Sequence, residues 1–316
     1  MKMMITGGAG FVGSHVVKRL QGDHDILIVD SLHPYYSPGW KQRRLNSMAG
    51  YKNIQWRKVD ICSQEALEAL YASFQPDCVI HLAAIPGVQP SLEDPAAYVD
   101  ADVKGTVNLL SLAAKYQTSR FVFASSSSVY GTDVAGPSRE DEELQPVSPY
   151  AAAKAAGEMF CRTYQRLYHL PITIVRPFTV YGPEQRPDMA LWKFAMKIYH
   201  GEPITVYKGR IGRDYTYVND IADGIAKAAL LPAARNRTYN LGNGKVVPIQ
   251  DLVLEIENAL ERKAMIEWRD LPLGDVPMTW ADTTRAEQEL GFRAMVPITE
   301  GIRRFADWFL QEGVKR

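Results

Sequence analysis

"MMITGGAGFVG", residues 3–13, runs from a short apolar segment straight into three spaced glycines. A brief apolar run that stops at a turn reads as a buried strand. Gly7, Gly10 and Gly13 then give the spacing GxxGxxG. Such a turn has to be tight, and its backbone has to come close to a ligand's pyrophosphate, so side chains are excluded. A helix over Ser14–Leu20 follows, and its N-terminus offers free N–H groups to phosphate oxygens. The same spacing also fits an ordinary turn and helix start. What favours a dinucleotide is the next strand, "DILIVD", which ends on Asp30. A carboxylate about 20 residues beyond the glycines is placed to bind adenosine ribose hydroxyls. Its charge repels a 2′-phosphate and so favours NAD over NADP, against the pull of Lys41, Arg43 and Arg44 nearby.

Outward from this point, short apolar runs alternate with helical patterns. "IQWRKVD", "CVIHLAA", "RFVFASSS" and "ITIVRPF" read as further buried parallel strands. Helices are expected over Glu65–Phe74, Asp102–Tyr116 and Pro149–Tyr168. The alternation predicts an α/β fold, a Rossmann doubly wound parallel sheet with helices on both faces. A smaller C-terminal α/β substrate-binding domain completes it. The expected division is 1–176 for the dinucleotide domain and 177–316 for the second, with a segment near 213–245 returning to the first.

The bulk composition excludes other classes. Basic and acidic residues balance at 36 each, so neither nucleic acid nor an anionic membrane surface is indicated as partner. No apolar run approaches the roughly 20 residues of a membrane span. The opening residues break into glycine too early for a signal peptide. The three cysteines form no close pair, and the six histidines show no metal-ligand spacing. The expectation is a cytoplasmic, metal-free protein.

Two stretches carry chemistry. "ASSSSVYG", residues 124–131, ends the fifth strand, where side chains of a parallel sheet point into the ligand crevice. A serine cluster is also an ordinary loop. "SPYAAAK", residues 148–154, sets Tyr150 and Lys154 four apart, on one helix face. A free tyrosine, with a pKa near 10, is a poor base at neutral pH. A lysine ammonium and a positive nicotinamide ring beside it favour the phenolate. The three alanines read as a compact turn able to pack closely.

With these marks in place the chain resembles the extended short-chain dehydrogenases/reductases, in the nucleotide-sugar epimerase/dehydratase group. The likeness spans essentially the whole chain. It is carried by "GGAGFVG", Asp60 of "VDI", "HLAA" at 81–84, "SSSSVYG", "SPYAAAK", "VRPFTVYGP" at 175–183, "GRDYTYVNDI" at 212–221 and "YNLGNG" at 239–244. The resemblance implies a tightly bound, recycled NAD. It places Phe11, Val12 and Ser31 with the glycines and Asp30 around that cofactor. Asp60 and Ile61 fall at the adenine end, Leu82, Ala83 and Ala84 along the pyrophosphate and ribose, and Pro177 beside the nicotinamide. It makes Tyr150 the base, Lys154 its partner and Ser126 the catalytic hydroxyl. It also implies a homodimer through helices near Val103–Tyr116 and Tyr150–Tyr168.

Relatives that eliminate water carry an acidic pair just before "VYG", and sugar-acid decarboxylases carry a glutamate there. This chain has Ser127 and Ser128, and a hydroxyl near its usual pKa cannot replace a carboxylate as a C5 base. The 4-keto intermediate then has one simple fate, return of the hydride on its other face. "DSLHPYYSPGWKQRRL" (30–45) and "FTVYGPEQRPDMALWKF" (178–194) are similar to segments of UDP-glucuronate 4-epimerases. Thr179, the groups around Ser126–Ser128, and Arg186 are candidates to hold a C6 carboxylate by charge-assisted hydrogen bonds. The likeness further assigns Arg213 to the diphosphate, Tyr207 to the uracil and Asp275 to the uridine ribose. Arg213 also reads as a surface partner of Asp214, and Tyr207 as a core aromatic. Three departures stand out: Gln89 replaces an arginine, Asp102 an asparagine of N-V-x-G-T, and Lys208 a glycine. Gln89 keeps a neutral UDP-sugar, UDP-glucose or UDP-N-acetylglucosamine, open as the substrate. A 4-keto-sugar reductase and a non-catalytic NAD-binding protein are the remaining readings.

Overall fold

A computed structural model describes residues 1–132 and 136–315, and twelve strands organise these described residues. In chain order they are β1 (Lys2–Thr6), β2 (Asp25–Asp30), β3 (Ile54–Lys58), β4 (Cys78–His81), β5 (Arg120–Ala124), β6 (Ile172–Pro177), β7 (Thr179–Tyr181), β8 (Ile204–Tyr207), β9 (Gly212–Tyr217), β10 (Thr238–Leu241), β11 (Val246–Pro248) and β12 (Ile266–Arg269). Seven form one parallel sheet in the order β10-β6-β5-β4-β1-β2-β3. The chain winds outward from β1 through β2 to β3. It then jumps back to β4 on the other side of β1. That reversal opens a crevice at the carboxyl ends of β1 and β4, where ligands of doubly wound folds bind. The sequence places its glycine turn there.

Apolar cores fill both faces of this sheet. Met3, Ile5, Ile26 and Ile28 point to one side, where the helices Phe11–Leu20 and Val218–Leu230 pack together. Met4, Leu27, Val29 and Val79 point to the other, under Leu109, Leu110 and Cys161. This is the two-residue alternation of strands buried on both faces. β3 differs from the buried strand expected of "IQWRKVD". It forms the sheet edge, and every residue after Ile54 is exposed. Lys58 and Arg57 blunt that edge with charge. The helix expected over Asp102–Tyr116 is regular from Gly105 to Lys115, after wider helical turns over Val99–Lys104.

The second half builds a separate aromatic core. Tyr181, Trp192, Tyr215, Phe305, Trp308 and Phe309 pack together away from the large sheet. Trp40, from the helix Pro38–Met48, enters this core edge-on to Trp192 at 5.0 Å. β9 pairs with β7 and β11 in a small sheet, and β8 with β12 in another. The helix Val218–Leu230 and β10 lie with the large sheet instead. The chain thus crosses between the two cores more than once, and the crevice runs between them.

Candidate active site

A cleft of about 660 Å³ opens at the crevice. Its floor is the glycine turn. Gly7 has φ +71°, a left-handed conformation that glycine adopts without strain. A Cβ on Gly13 would stand 2.1 Å from the Gly7 carbonyl oxygen, so the approach of helix to strand excludes any side chain. Asp30 closes one end of the cleft. Its carboxylate accepts N–H bonds from Ala9 (3.2 Å) and Leu32 (2.9 Å) and meets Lys41 Nζ at 3.4 Å. Arg44 is not available there. Its guanidinium is turned away to Ala9 O, Tyr36 Oη and Glu184. Gly7, Gly10, Phe11, Val12, Gly13, Asp30, Ser31, Ile61, Leu82, Ala83, Ala84 and Pro177 all line the cleft. Asp60 is exposed beside the lining residues Val59 and Ile61, where its carboxylate accepts the Cys62 N–H.

His81, which the sequence left without a role, fixes the wall. Ala83 N–H donates to Thr6 Oγ1 (3.3 Å), and Thr6 lies 2.8 Å from His81 Nδ1. His81 Nε2 lies 3.0 Å from Thr106 Oγ1, which itself donates to the Asp102 carbonyl. With Thr106's proton committed, His81 donates from Nε2 and accepts at Nδ1. Burial, with Lys154 adding to it, pushes the His81 pKa down to about 3, so the ring is neutral. This chain of bonds anchors Leu82–Ala84 to β1.

The helix Pro149–Tyr168 presents the next group. Ser148 caps it, accepting the Ala151 N–H at 3.2 Å, and Pro149 occupies its first turn, where no N–H is needed. Tyr150 is therefore held on a rigid helix start. Ala151 and Ala153 are buried, so the turn packs tightly, as its small side chains allow. Lys154 lies one turn on, its Nζ 6.0 Å from the Tyr150 ring centre and 5.6 Å from that of Phe123. Tyr98 meets the Tyr150 ring edge-on at 6.1 Å. Across the cleft Ser126 accepts from both Ser128 N–H (3.2 Å) and Ser128 Oγ (2.9 Å). Both lone pairs of its oxygen are engaged, which leaves the Ser126 O–H free to donate to a ligand oxygen. Ser125 also lines the cleft, and its buried Oγ has no hydrogen-bond partner among the described residues.

The other end of the cleft lies beside Tyr150 and the serine turn. Thr179 and Arg186 line the cleft with Ser126, Ser127, Ser128 and Tyr150. Arg186 forms a two-bond bridge to Asp188, at 2.9 and 2.8 Å. Tyr35 Oη donates to the same carboxylate at 3.3 Å. Desolvation and then Asp188 raise the Tyr35 pKa to about 12, so it remains a donor. Neither Tyr35 nor Asp188 was singled out from sequence. The Arg-x-Asp spacing in "RPDMA" was the available signal.

Gln89 lines the cleft, but its Nε2 donates to Leu273 O at 3.0 Å, tying the 87–90 turn to the 271–276 loop. Arg213 and Asp275 also line it. Arg213 donates to Gly212 O and Pro277 O, not to Asp214. Asp214 is fully buried and accepts N–H bonds from Asn243, Gly244 and Ala281. Burial pushes its pKa up to about 6 against those bonds. Tyr207 sits half-buried against the aromatic core and is not among the cleft-lining residues. Lys208 pairs with Asp270 at the surface (3.3 Å). Among the described residues no cluster of His, Cys, Asp or Glu is arranged to hold a metal. No helix among them is long and apolar enough to cross a membrane.

Comparison with known proteins covers almost the whole chain. The sequence model of the NAD dependent epimerase/dehydratase family matches residues 3–242. Protein CapI of Staphylococcus aureus is 39% identical over 98% of this chain and 99% of its own length. The UDP-glucuronate 4-epimerase of Thermodesulfobacterium geofontis is 38% identical over 96% of this chain and 95% of its own. The crystal structure of UDP-glucuronic acid 4-epimerase from Bacillus cereus, in complex with UDP-glucuronic acid and NAD, superposes with a TM-score of 0.94 at 31% identity. It covers 98% of this chain and 99% of that one.

Proposed function

The chain belongs to the NAD dependent epimerase/dehydratase family, and from that premise we propose that it inverts C4 of UDP-glucuronate, giving UDP-galacturonate. The observation that carries this reading is the grouping of Tyr150, Ser126, Thr179 and Arg186 on one cleft with, among the described residues, no free carboxylate beside the serines. The lining carboxylates are otherwise placed. Asp30 closes the adenosine end, Asp188 is bridged to Arg186, and Asp275 lies in the field of Arg213.

The glycine turn, in which a Cβ on Gly7 or Gly13 would strike backbone, fits a dinucleotide pyrophosphate. When bound, NAD supplies a place for the C4 hydride and gives it back. Tyr150 Oη takes the 4-hydroxyl proton as C4 becomes a ketone, and Ser126 donates its O–H to the same oxygen. Lys154 lends positive charge to the phenolate. The ketone turns over in the cleft, C4 regains hydride on its opposite face, and Tyr150 returns its proton to the oxygen. Protons and electrons then balance over the cycle. A 4-keto uronic acid is a β-keto acid and can lose carbon dioxide when its carboxylate turns perpendicular to the ketone. Arg186, Thr179 and the Ser127 hydroxyl are assigned to prevent that rotation. Arg213 and Asp275 take the diphosphate and ribose. The placement of Tyr207 does not favour a uracil contact.

A homodimer accords with the surface. Met159, Phe160, Leu167 and Tyr168 of the catalytic helix, with Val99 nearby, expose large apolar area. A second copy packed on this helix covers it. The free cysteines Cys62, Cys78 and Cys161 suit a reducing, cytoplasmic setting.

The test is direct. Purified protein is incubated with UDP-glucuronate, UDP-glucose and UDP-N-acetylglucosamine in turn, and C4 inversion is followed by NMR. Inversion of UDP-glucuronate is expected. Inversion of a neutral sugar without it overturns the substrate assignment. A requirement for added NADPH points to a reductase instead. Replacing Tyr150 by Phe is expected to cost roughly 10²–10⁴-fold in rate, the usual worth of a positioned base.

A further inference from the structure

We infer that Asp102 is a positioning residue that holds Lys154 and sets the pH at which Tyr150 acts. The inference rests on the reading of Tyr150 as base. It concerns a residue that the resemblance to N-V-x-G-T marks as a departure, an aspartate in place of an uncharged asparagine.

The Asp102 side chain is sealed from solvent. Its Oδ1 accepts the Ile85 N–H at 2.8 Å. Its Oδ2 faces Lys154 Nζ at 3.5 Å and has no other partner among the described residues. Lys154 is itself nearly sealed, and Asp102 is the acidic group within ion-pair distance of it among the described residues. Burial raises the Asp102 pKa, while Lys154 and the Ile85 N–H pull it back toward the ionised form, and removing either member of such a buried pair leaves the other uncompensated. An amide at position 102 could accept the Ile85 N–H equally well. It could not supply a counter-charge to Lys154.

Two consequences follow from the sign of that charge. The carboxylate gives the buried Lys154 ammonium its counter-charge. It also cancels part of the positive field that Lys154 exerts on the Tyr150 phenolate one helical turn away. Tyr150 in this chain is therefore a base suited to a higher pH than it would be above an asparagine. The other groups around the pair do not duplicate the effect. His81, from β4, is neutral, and Cys161, on the same helix, is a buried thiol held protonated. Tyr98 and Tyr35, whose rings border Tyr150, are held protonated by burial. Arg186 is the remaining charge acting on Tyr150, and Asp188 bridges it.

Asp102→Asn tests this. The pH dependence of kcat/KM for C4 inversion is measured in both proteins from about pH 6 to 10, where a tyrosine-dependent limb falls. In parallel the tyrosinate absorbance is titrated, with Tyr150→Phe as the background that isolates Tyr150. The variant is expected to stay active, with its acid limb and the Tyr150 titration both moved down by about one pH unit. A purely structural role would lower activity or stability without moving either. Asp102→Ser, which keeps an acceptor for the Ile85 N–H, should give the same displacement and serves if the asparagine variant does not fold. An unmoved limb and titration in a folded variant overturn the inference. Full activity of Tyr150→Phe overturns the assignment of the base, which is a separate outcome.

Discussion

Arg176 and Arg186 each grip a carboxylate with two hydrogen bonds, yet they sit in opposite surroundings. Arg176, on β6, meets Glu158 at 2.8 and 2.7 Å, and neither side chain touches solvent. Its remaining N–H groups go to Tyr130 Oη and Glu140 O. Arg186 meets Asp188 at nearly the same distances, but both side chains are partly open to the cleft. The first bridge is a closed unit with all three guanidinium nitrogens hydrogen-bonded. It fastens the helix Pro149–Tyr168 to β6 and, through Tyr130 and Asn240, to β10. The second keeps an open side toward the cleft. Equal geometry thus serves two purposes, and solvent access separates them.

The largest effect expected is at the closed bridge. Arg176→Met strands Glu158 inside the protein, with only the half-exposed Arg162 at 3.5 Å beside it. Breaking one side of a buried pair costs about 3–5 kcal/mol. Urea unfolding should report that loss. The double variant Arg176→Met/Glu158→Leu should regain part of it, because no charge is then left unpaired. A double variant that is less stable than the single would show that the bridge is worth more than the removal of its charges.

Arg186→Gln should behave in the opposite way. Stability should change by less than about 1 kcal/mol, as for other partly exposed pairs. Preference for UDP-glucuronate over UDP-glucose should fall by roughly 10- to 150-fold, the loss of one charge-assisted hydrogen bond of about 1.5–3 kcal/mol. A large loss of stability with unchanged preference would place Arg186 with Arg176 as a structural residue.

The difference between these bridges was not legible in the sequence, and the reason is physical. The glycine turn, the first strand and the Tyr150–Lys154 pair are local patterns, so periodicity and spacing reveal them. Arg44 with Glu184 and Tyr35 with Asp188 join positions 140 and 153 residues apart. Such pairs leave no periodic trace. β3 was misread because Ile54 and Trp56 look like a buried strand, while only the sheet order places them at an edge. Gln89 could be identified as unusual, but its direction depends on a loop nearly two hundred residues further along the chain.

Two neutral histidines, the sealed His81 and the half-buried His15, give the next effect. His15 has its pKa lowered to about 4, chiefly by burial, and His81 to about 3. In the unfolded chain both take up a proton near pH 6.5, so the unfolded state binds more protons below that pH. Their contribution is intact above pH 6.5 and is lost progressively as pH falls toward 4 for His15 and 3 for His81. Each adds a slope of up to about 1.4 kcal/mol per pH unit within its window. Thermal unfolding followed from neutral to mildly acidic pH should show Tm falling, and a flat Tm over that range would count against neutral burial of both rings.

The smallest effect is expected at Gln89, the position that left a neutral sugar open. Its amide N–H donates to Leu273 O across an exposed contact and its side chain also hydrogen-bonds Asp275, so both contacts lie on the 271–276 loop. An exposed neutral hydrogen bond contributes about 1 kcal/mol or less. Gln89→Ala should therefore alter turnover of UDP-glucuronate by no more than about fivefold. It should also leave the ratio of acidic to neutral substrate almost where it was, in contrast to Arg186→Gln. Both variants are assayed side by side with the same two UDP-sugars. A shift of that ratio by more than about tenfold in Gln89→Ala, or 1.4 kcal/mol, would make Gln89 a sugar contact. The discrimination assigned to Arg186 would then have to be shared between the two walls of the cleft.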